Sequence, residues 1–372
     1  MKITRITCWA VPIPLTDPYF LRGGRLKVTS IDSTLIRIDT DEGVSGWGEA
    51  CPWGSRYLPA HGPGVRAGLE TVAPDLIGEN PLGLEHINRV MDAALPGHPY
   101  VKSGLDIACW DILGKVSGLP LWQLFGGDGP DAVEMTGSVS AGDPDDMVAR
   151  MKICSARGVR AHSIKLGDLN PALDIERIRA VDAALPAGEC ITWDANRGWT
   201  PGVAMQVLNA TQTTHWVEQP CDGISECALV AGRVANPIML DECLFTFDDH
   251  LRAWSLGAAQ GVKVKPGRAG GLTRARQIRD FGVSVGWQMH IEGLGGCGLE
   301  DMAVLHLASS TPTANRLSSW SVEDLVDIDI CNGTAPRNQN GFLSPHSTPG
   351  HGTTPDLDAL GDPAAIYEME AA

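Results

Sequence analysis

Lys165, Asp194, Glu218, Asp241 and Lys265 each close a short apolar run: "HSIK", "ITWD", "HWVE", "IMLD" and "VKVK". Along the chain they are spaced by 29, 24, 23 and 24 residues. That is the length of one strand-plus-helix unit, so the five recur at one level of successive strands. In a parallel barrel that level is the C-terminal mouth, where chemistry is placed. Three carboxylates converging without cysteine or clustered histidine make a hard oxygen site, suited to octahedral Mg²⁺ with positions left for water and substrate. A single Asp at a strand end is more often a helix N-cap or a loop residue. Three in phase, flanked by lysines at the same period, are poorly explained that way.

The two lysines lie before and after the arc of acids. A free lysine has a pKa of about 10.4; partly desolvated beside a divalent cation, it shifts down and can serve as a base. A metal-bound substrate carboxylate would stabilise the enediolate left when its α-proton is removed. The plainer alternative makes the lysines salt-bridge partners of the acids. Ser163 stands two residues before Lys165, so on a strand both side chains point the same way.

The elements needed to hold these residues are legible. Over residues 1–50, "KITRITCWAVPI" and "TSIDSTLIRIDTDEG" alternate, and "DEG" turns the chain into "VSGWGEA", which predicts a three-stranded antiparallel meander. From about residue 64 the pattern is helical, ending in "VKSGLDIACWDILGKVSG" with Gly118 as a stop. After "LFGGDGP", eight apolar runs from "AVEMTGSVS" to "NRLSSW" alternate with amphipathic stretches. One of these stretches starts at Thr200 as N-cap and Pro201 as first helical residue. The expected fold class is α/β: an N-terminal α+β capping domain (1–126), a (β/α)8-type barrel carrying the site (127–330), and a C-terminal segment (331–372) packing back on the cap.

The 372 residues are 43% hydrophobic and 20% charged, enough for a sizeable core. A formal net charge of −16 argues against a nucleic-acid or anionic-membrane partner. It leaves a small anionic substrate open, because a bound cation reverses the local field. No run reaches the ~20 apolar residues of a membrane span, and "MKITRITCWAVPIP" does not read as a signal peptide. The ten cysteines include no C-x-x-C, and several, such as Cys109, Cys190 and Cys243, sit in apolar runs. They suit buried thiols in a reducing cytoplasm and argue against a cysteine zinc site.

"VKSGLDIACWDILGKVSGLPLWQLFGG", followed in order by "WDAN", "VEQP", "LDE" and "KVKPGRAGGL", resembles the enolase superfamily, in its muconate-lactonising and mandelate-racemase branch, over essentially the whole chain. The resemblance implies one Mg²⁺ per active site on Asp194, Glu218 and Asp241. It implies Lys165 and Lys265 as acid/base catalysts on opposite faces of the substrate, Asn196 and Glu242 behind the ligands, and a homo-oligomer. The family usually carries K-x-K at the end of the second barrel strand; here it is Ser163-x-Lys165. The His–Asp pair of mandelate racemase is not reproduced, because the sixth strand ends on Lys265. His290, near the end of the seventh, is left between direct catalysis and a supporting role.

In this family the capping segments choose the substrate. Here "LTDPYFLRGG" and "ACPWGSRYLPAHG" supply Tyr19, Phe20, Trp53, Arg56 and Tyr57, and Trp320 ends the eighth strand. Aromatics with few cations suit a small cationic group, although any one of them is equally explained by lid packing. An amine-bearing carboxylate is therefore expected, and the pattern resembles the superfamily's proline-betaine epimerases and cis-3-hydroxy-L-proline dehydratases. The epimerases keep the lysine that Ser163 replaces, so the expected reaction is dehydration of cis-3-hydroxy-L-proline to Δ1-pyrroline-2-carboxylate. Rival expectations are epimerisation of proline or its betaines, acid-sugar dehydration, and non-catalytic ligand binding.

Overall fold

The structure, a computed structural model, describes residues 1–369. Strands Ile3–Leu21, Leu26–Thr40 and Ser45–Ala50 form the antiparallel meander, their alternation burying one face. A fourth strand, Ala365–Glu368, adds to its free edge, with Arg5 opposite Glu368. Helices Gly62–Leu76, Leu84–Ala94 and Pro99–Ser117 cover the sheet around a core that includes Ile6, Ile36, Leu69, Ile87 and Leu105. Gly118 ends the last helix in the left-handed region, at φ 69°.

Pro99–Ser117 is buried on nearly every side because it lies between the cap sheet and the barrel. It reaches the sheet closely because a Cβ on Gly48 would overlap the carbonyl of Gly104. On its other face Asp106 accepts from the Thr273 N–H (2.9 Å) and hydroxyl (2.6 Å), and the Trp110 indole donates to the same hydroxyl (2.9 Å). This helix is thus one of the joints between cap and barrel.

Seven parallel strands run in chain order around the barrel: Thr136–Val139, Ala161–Lys165, Cys190–Asp194, Trp216–Glu218, Ile238–Leu240, Gly261–Val264 and Gln288–Ile291. Residues 316–319 close the ring as an irregular eighth strand, bridging Met289 through Arg316 and Met135 through Ser319. Thr200 caps helix Pro201–Thr211 by accepting from the Val203 N–H.

The described C-terminal segment touches more than the cap. Phe342–Leu343 pairs with Val133–Glu134 at the entrance to the barrel before Ala365–Glu368 joins the cap sheet. All ten cysteines are free; Cys109 is buried, Cys243 is partly exposed, and Cys190 lies exposed at the outer start of its strand, contrary to its reading as a buried thiol. No helix among the described residues is long and apolar enough to cross a membrane.

Candidate active site

Parallel register sets the level of the charged residues: Lys165 pairs with Asp194, and Asp194 with Glu218, across the second to fourth strands. Asp241 and Lys265 follow directly on the last residues of the fifth and sixth. The second and sixth of eight strands stand on opposite sides of the ring, so the two lysines face each other across the mouth.

Every carboxylate of the arc is turned onto a cation. Lys165 Nζ donates to Asp194, and more weakly to Ser163 Oγ at 3.3 Å. Lys263 Nζ lies 3.3 Å from Glu218. Asp241 takes Lys265 Nζ at 2.8 Å on one oxygen and the Arg268 guanidinium on the other. Burial works against the charge of Lys165, yet Asp194, with Tyr19 and Glu218, lifts its pKa well above the ordinary value. Lys265 is raised in the same way, burial being outweighed by Asp241 and Glu292. The lowering expected of the lysines is therefore not what these pairs give, because contact with opposite charge favours the ammonium form. Burial and then Asp194 push Glu218 well up. For Asp241, burial is overcome by Arg268, Lys265 and Lys263, which hold it far below the usual carboxylate range.

Asn196 sits behind this arc at φ 44°, a left-handed conformation that asparagine tolerates. Its amide donates to Asp194 (2.9 Å), Glu242 (3.1 Å) and the Tyr57 hydroxyl (3.4 Å), tying two carboxylates and the lid together. Glu242, buried beside Asp241 and Asp194, is raised to about 7. The donor set fits Mg²⁺ in its chemistry: three hard oxygen groups, with Glu218 Oε2 buried and faced by the Lys263 ammonium at 3.3 Å without a well-aligned hydrogen bond. Among the described residues no three such side chains are already gathered at coordinating distance around one point.

Above the arc lies a small pocket lined by Ser163, Lys165 and Lys265 together with Tyr19, Trp53, Tyr57 and Trp320. Trp53 is the hub of the aromatic wall, its ring centroid 5.7 Å from Tyr19, 6.5 Å from Tyr57 and 6.3 Å from Trp320. Tyr19 is fixed by a 2.5 Å hydrogen bond between its hydroxyl and that of Ser138. Phe20 is not part of the wall. Strand alternation turns Tyr19 and Leu21 inward and Phe20 the other way, under the Lys27 ammonium at 5.8 Å. Arg56 is exposed and also lies outside the lining.

His290 does not line the pocket either. It is buried one layer below, with Nδ1 2.9 Å from the Ser318 carbonyl, and burial together with Lys263 holds it down to about 3. Its neighbour Glu292 takes the place at the mouth, lining the pocket and receiving Lys263 at 3.0 Å and Lys265 at 3.4 Å. Burial would raise this carboxyl, but Lys263 and Lys265 pull it down to about 2. Neither Glu292 nor Lys263 was singled out from the sequence. The period-two argument that couples Ser163 to Lys165 equally couples Lys263 to Lys265.

Residues 10–126 match the mandelate racemase/muconate lactonizing enzyme N-terminal domain, and residues 146–359 the enolase C-terminal domain-like family. A cis-3-hydroxy-L-proline dehydratase of Roseibium aggregatum is 39% identical over 99% of this chain and 100% of the relative. An N-succinyl-L-Arg/Lys racemase of Bacillus cereus is 29% identical over 83% of this chain and 85% of the relative. A crystal structure of an enolase superfamily member from Roseovarius nubinhibens, complexed with magnesium, superposes with a TM-score of 0.95 at 58% identity, covering 99% of this chain and 100% of that one. With both domains matched in order on a closed barrel, the chain belongs to the mandelate racemase/muconate lactonizing enzyme family of the enolase superfamily.

Proposed function

We propose that the protein is a Mg²⁺-dependent hydro-lyase that converts cis-3-hydroxy-L-proline to Δ1-pyrroline-2-carboxylate and water. The observation that carries this reading is the pair of lysines opposed across one small aromatic pocket, with a serine beside the first, in a chain 39% identical to a dehydratase of that substrate. In cis-3-hydroxy-L-proline the hydroxyl shares a face with the carboxylate and the α-hydrogen lies on the other face. Elimination therefore needs a base on one side and an acid on the other, which is how Lys165 and Lys265 stand.

Asp194, Glu218 and Asp241 would hold the Mg²⁺, which when bound neutralises the substrate carboxylate and the negative charge that develops on it as the α-proton leaves. The two lysines differ in what then remains beside them. Lys165 has Asp194, a ligand, as its carboxylate partner, so it is the side chain left to take the α-proton from carbon 2. Lys265 keeps Glu292, which is not a ligand; it stays an ammonium and gives its proton to the departing 3-hydroxyl. The enamine so formed, with its carbon 2–carbon 3 double bond, tautomerises to the imine product. Trp53, Tyr57 and Trp320 enclose the ring and exclude water, their faces suited to the secondary ammonium. Ser163 leaves space and removes a positive charge where a second lysine would crowd Lys165.

Epimerisation uses the same two lysines, and the racemase relative keeps that alternative in view. Proton NMR in ²H₂O separates the two. Dehydration predicts loss of the cis-3-hydroxy-L-proline signals and growth of pyrroline signals. Wash-out of the α-proton signal with the 3-hydroxyl retained, and a second epimer appearing, would overturn the proposal.

A further inference from the structure

The loop between the seventh strand and helix Leu299–Ser309 forms one wall of the pocket through Glu292, Gly293 and Leu294. It contains Gly293, Gly295, Gly296 and Gly298, the last three at φ of 103°, 106° and 87°. Such a stretch has little conformational preference of its own, and ordering it is costly in entropy. What orders it comes from the other domain. Glu49, on cap strand Ser45–Ala50 and fully buried, accepts from the N–H groups of Cys297 (2.6 Å), Leu299 (3.1 Å) and Glu300 (3.0 Å). The Ser33 hydroxyl donates to the same carboxylate at 2.6 Å. The fit leaves no spare room, since a Cβ on Gly296 would overlap Glu49 Oε1. One residue further along the same helix, Asp301 accepts from the Val322 N–H at 2.7 Å, two positions beyond Trp320. A Cβ on Gly293 would in turn overlap the other oxygen of Asp301.

We propose that Glu49 is a positioning residue. A cap-domain carboxylate fixes the start of helix Leu299–Ser309, and that fixed start sets both the Gly293–Gly298 wall and, through Asp301, the Trp320 end of the eighth strand. A buried carboxylate is an expensive way merely to join two surfaces, which apolar side chains do without a desolvation penalty. Its donors are one hydroxyl and three backbone N–H groups, all placed to fix a loop, as capping groups do at helix starts.

The test compares wild type, Glu49→Gln and Ser33→Ala, each with Mg²⁺. Glutamine keeps the shape but turns an N–H₂ toward the backbone donors; Ser33→Ala removes a single supporting bond and serves if the first variant does not fold. Hydrogen exchange of the peptide spanning residues 293–303 should accelerate about tenfold in Glu49→Gln and less in Ser33→Ala. KM for cis-3-hydroxy-L-proline should rise about tenfold while kcat stays within about threefold. A lower melting temperature with unchanged exchange in that peptide, or faster exchange with unchanged KM, would overturn the proposal. The kinetic arm rests on the proposed activity. The exchange arm needs no substrate, so an inactive wild type would count against the activity and leave the exchange result to decide on Glu49.

Discussion

Lys165 and Lys265 both donate to a carboxylate of the arc, but only Lys265 has a further carboxylate, Glu292, beside it. This asymmetry supports the proposed roles of Lys165 as base and Lys265 as acid, and the proposal is testable one residue at a time. Lys165→Ala should lower turnover about a thousandfold, the middle of the range for removing a general base, and abolish α-proton exchange in ²H₂O. Lys265→Ala should lower dehydration comparably while α-proton exchange continues, because its base remains. An inverted pattern, exchange surviving in Lys165→Ala and lost in Lys265→Ala, would reverse the roles. The residue scale is also where the sequence was most and least informative. The period of the strand ends picked out five charged residues that the fold does bring to one mouth. Glu292 obeys the same rule, directly following the seventh strand 27 positions after Lys265, with the titratable His290 two residues before it in the same run. Phe20 is an aromatic of the same capping segment as Tyr19, but alternation along an extended strand turns it the other way.

At the scale of elements, the helix Phe247–Ser255 carries a histidine, His250, that no catalytic argument needs. It is buried against Trp287, with Nδ1 2.7 Å from the Thr246 carbonyl, and burial lowers its pKa to about 4. A histidine depressed from about 6.5 gives stability that is fully present above pH 6.5 and is lost as pH falls through 4, where the unfolded chain binds the proton more tightly. The amount is on the order of 3 kcal/mol. The gap in melting temperature between wild type and His250→Asn should therefore be widest near pH 7.5 and narrow progressively toward pH 4. A gap that stays constant over that range would contradict it. Local elements such as this helix, with its Thr246 and Asp249 capping box, are written in short-range pattern. Strand Ala365–Glu368 was not, because its partner Ile3–Leu21 lies at the other end of the chain and nothing in "AIYE" specifies that pairing. The irregular eighth strand was legible only through the repeat of the units before it.

For the whole molecule, the arrangement is one in which cap and barrel each supply half of a pocket. The cap gives Tyr19, Trp53 and Tyr57 as walls. It also gives helix Pro99–Ser117 as the joint to the barrel, through Asp106 and Trp110, and Glu49 as the support of the opposing loop. The barrel gives the arc of acids and the two lysines. The meander, the order of the strands and the barrel were legible because each repeats a short hydrophobic period. The contacts between the two domains were not, since they depend on which glycines allow close approach and which buried polar groups meet, and neither has a periodic signature.

Metal-dependent dehydration by two opposed lysines can be measured by adding cis-3-hydroxy-L-proline and Mg²⁺ and following Δ1-pyrroline-2-carboxylate through its colour with o-aminobenzaldehyde. The expected result is colour that grows with wild type, stops on EDTA, returns with excess Mg²⁺ and is absent in Lys165→Ala. No colour from wild type, alongside α-proton exchange into proline betaine under the same conditions, would contradict it.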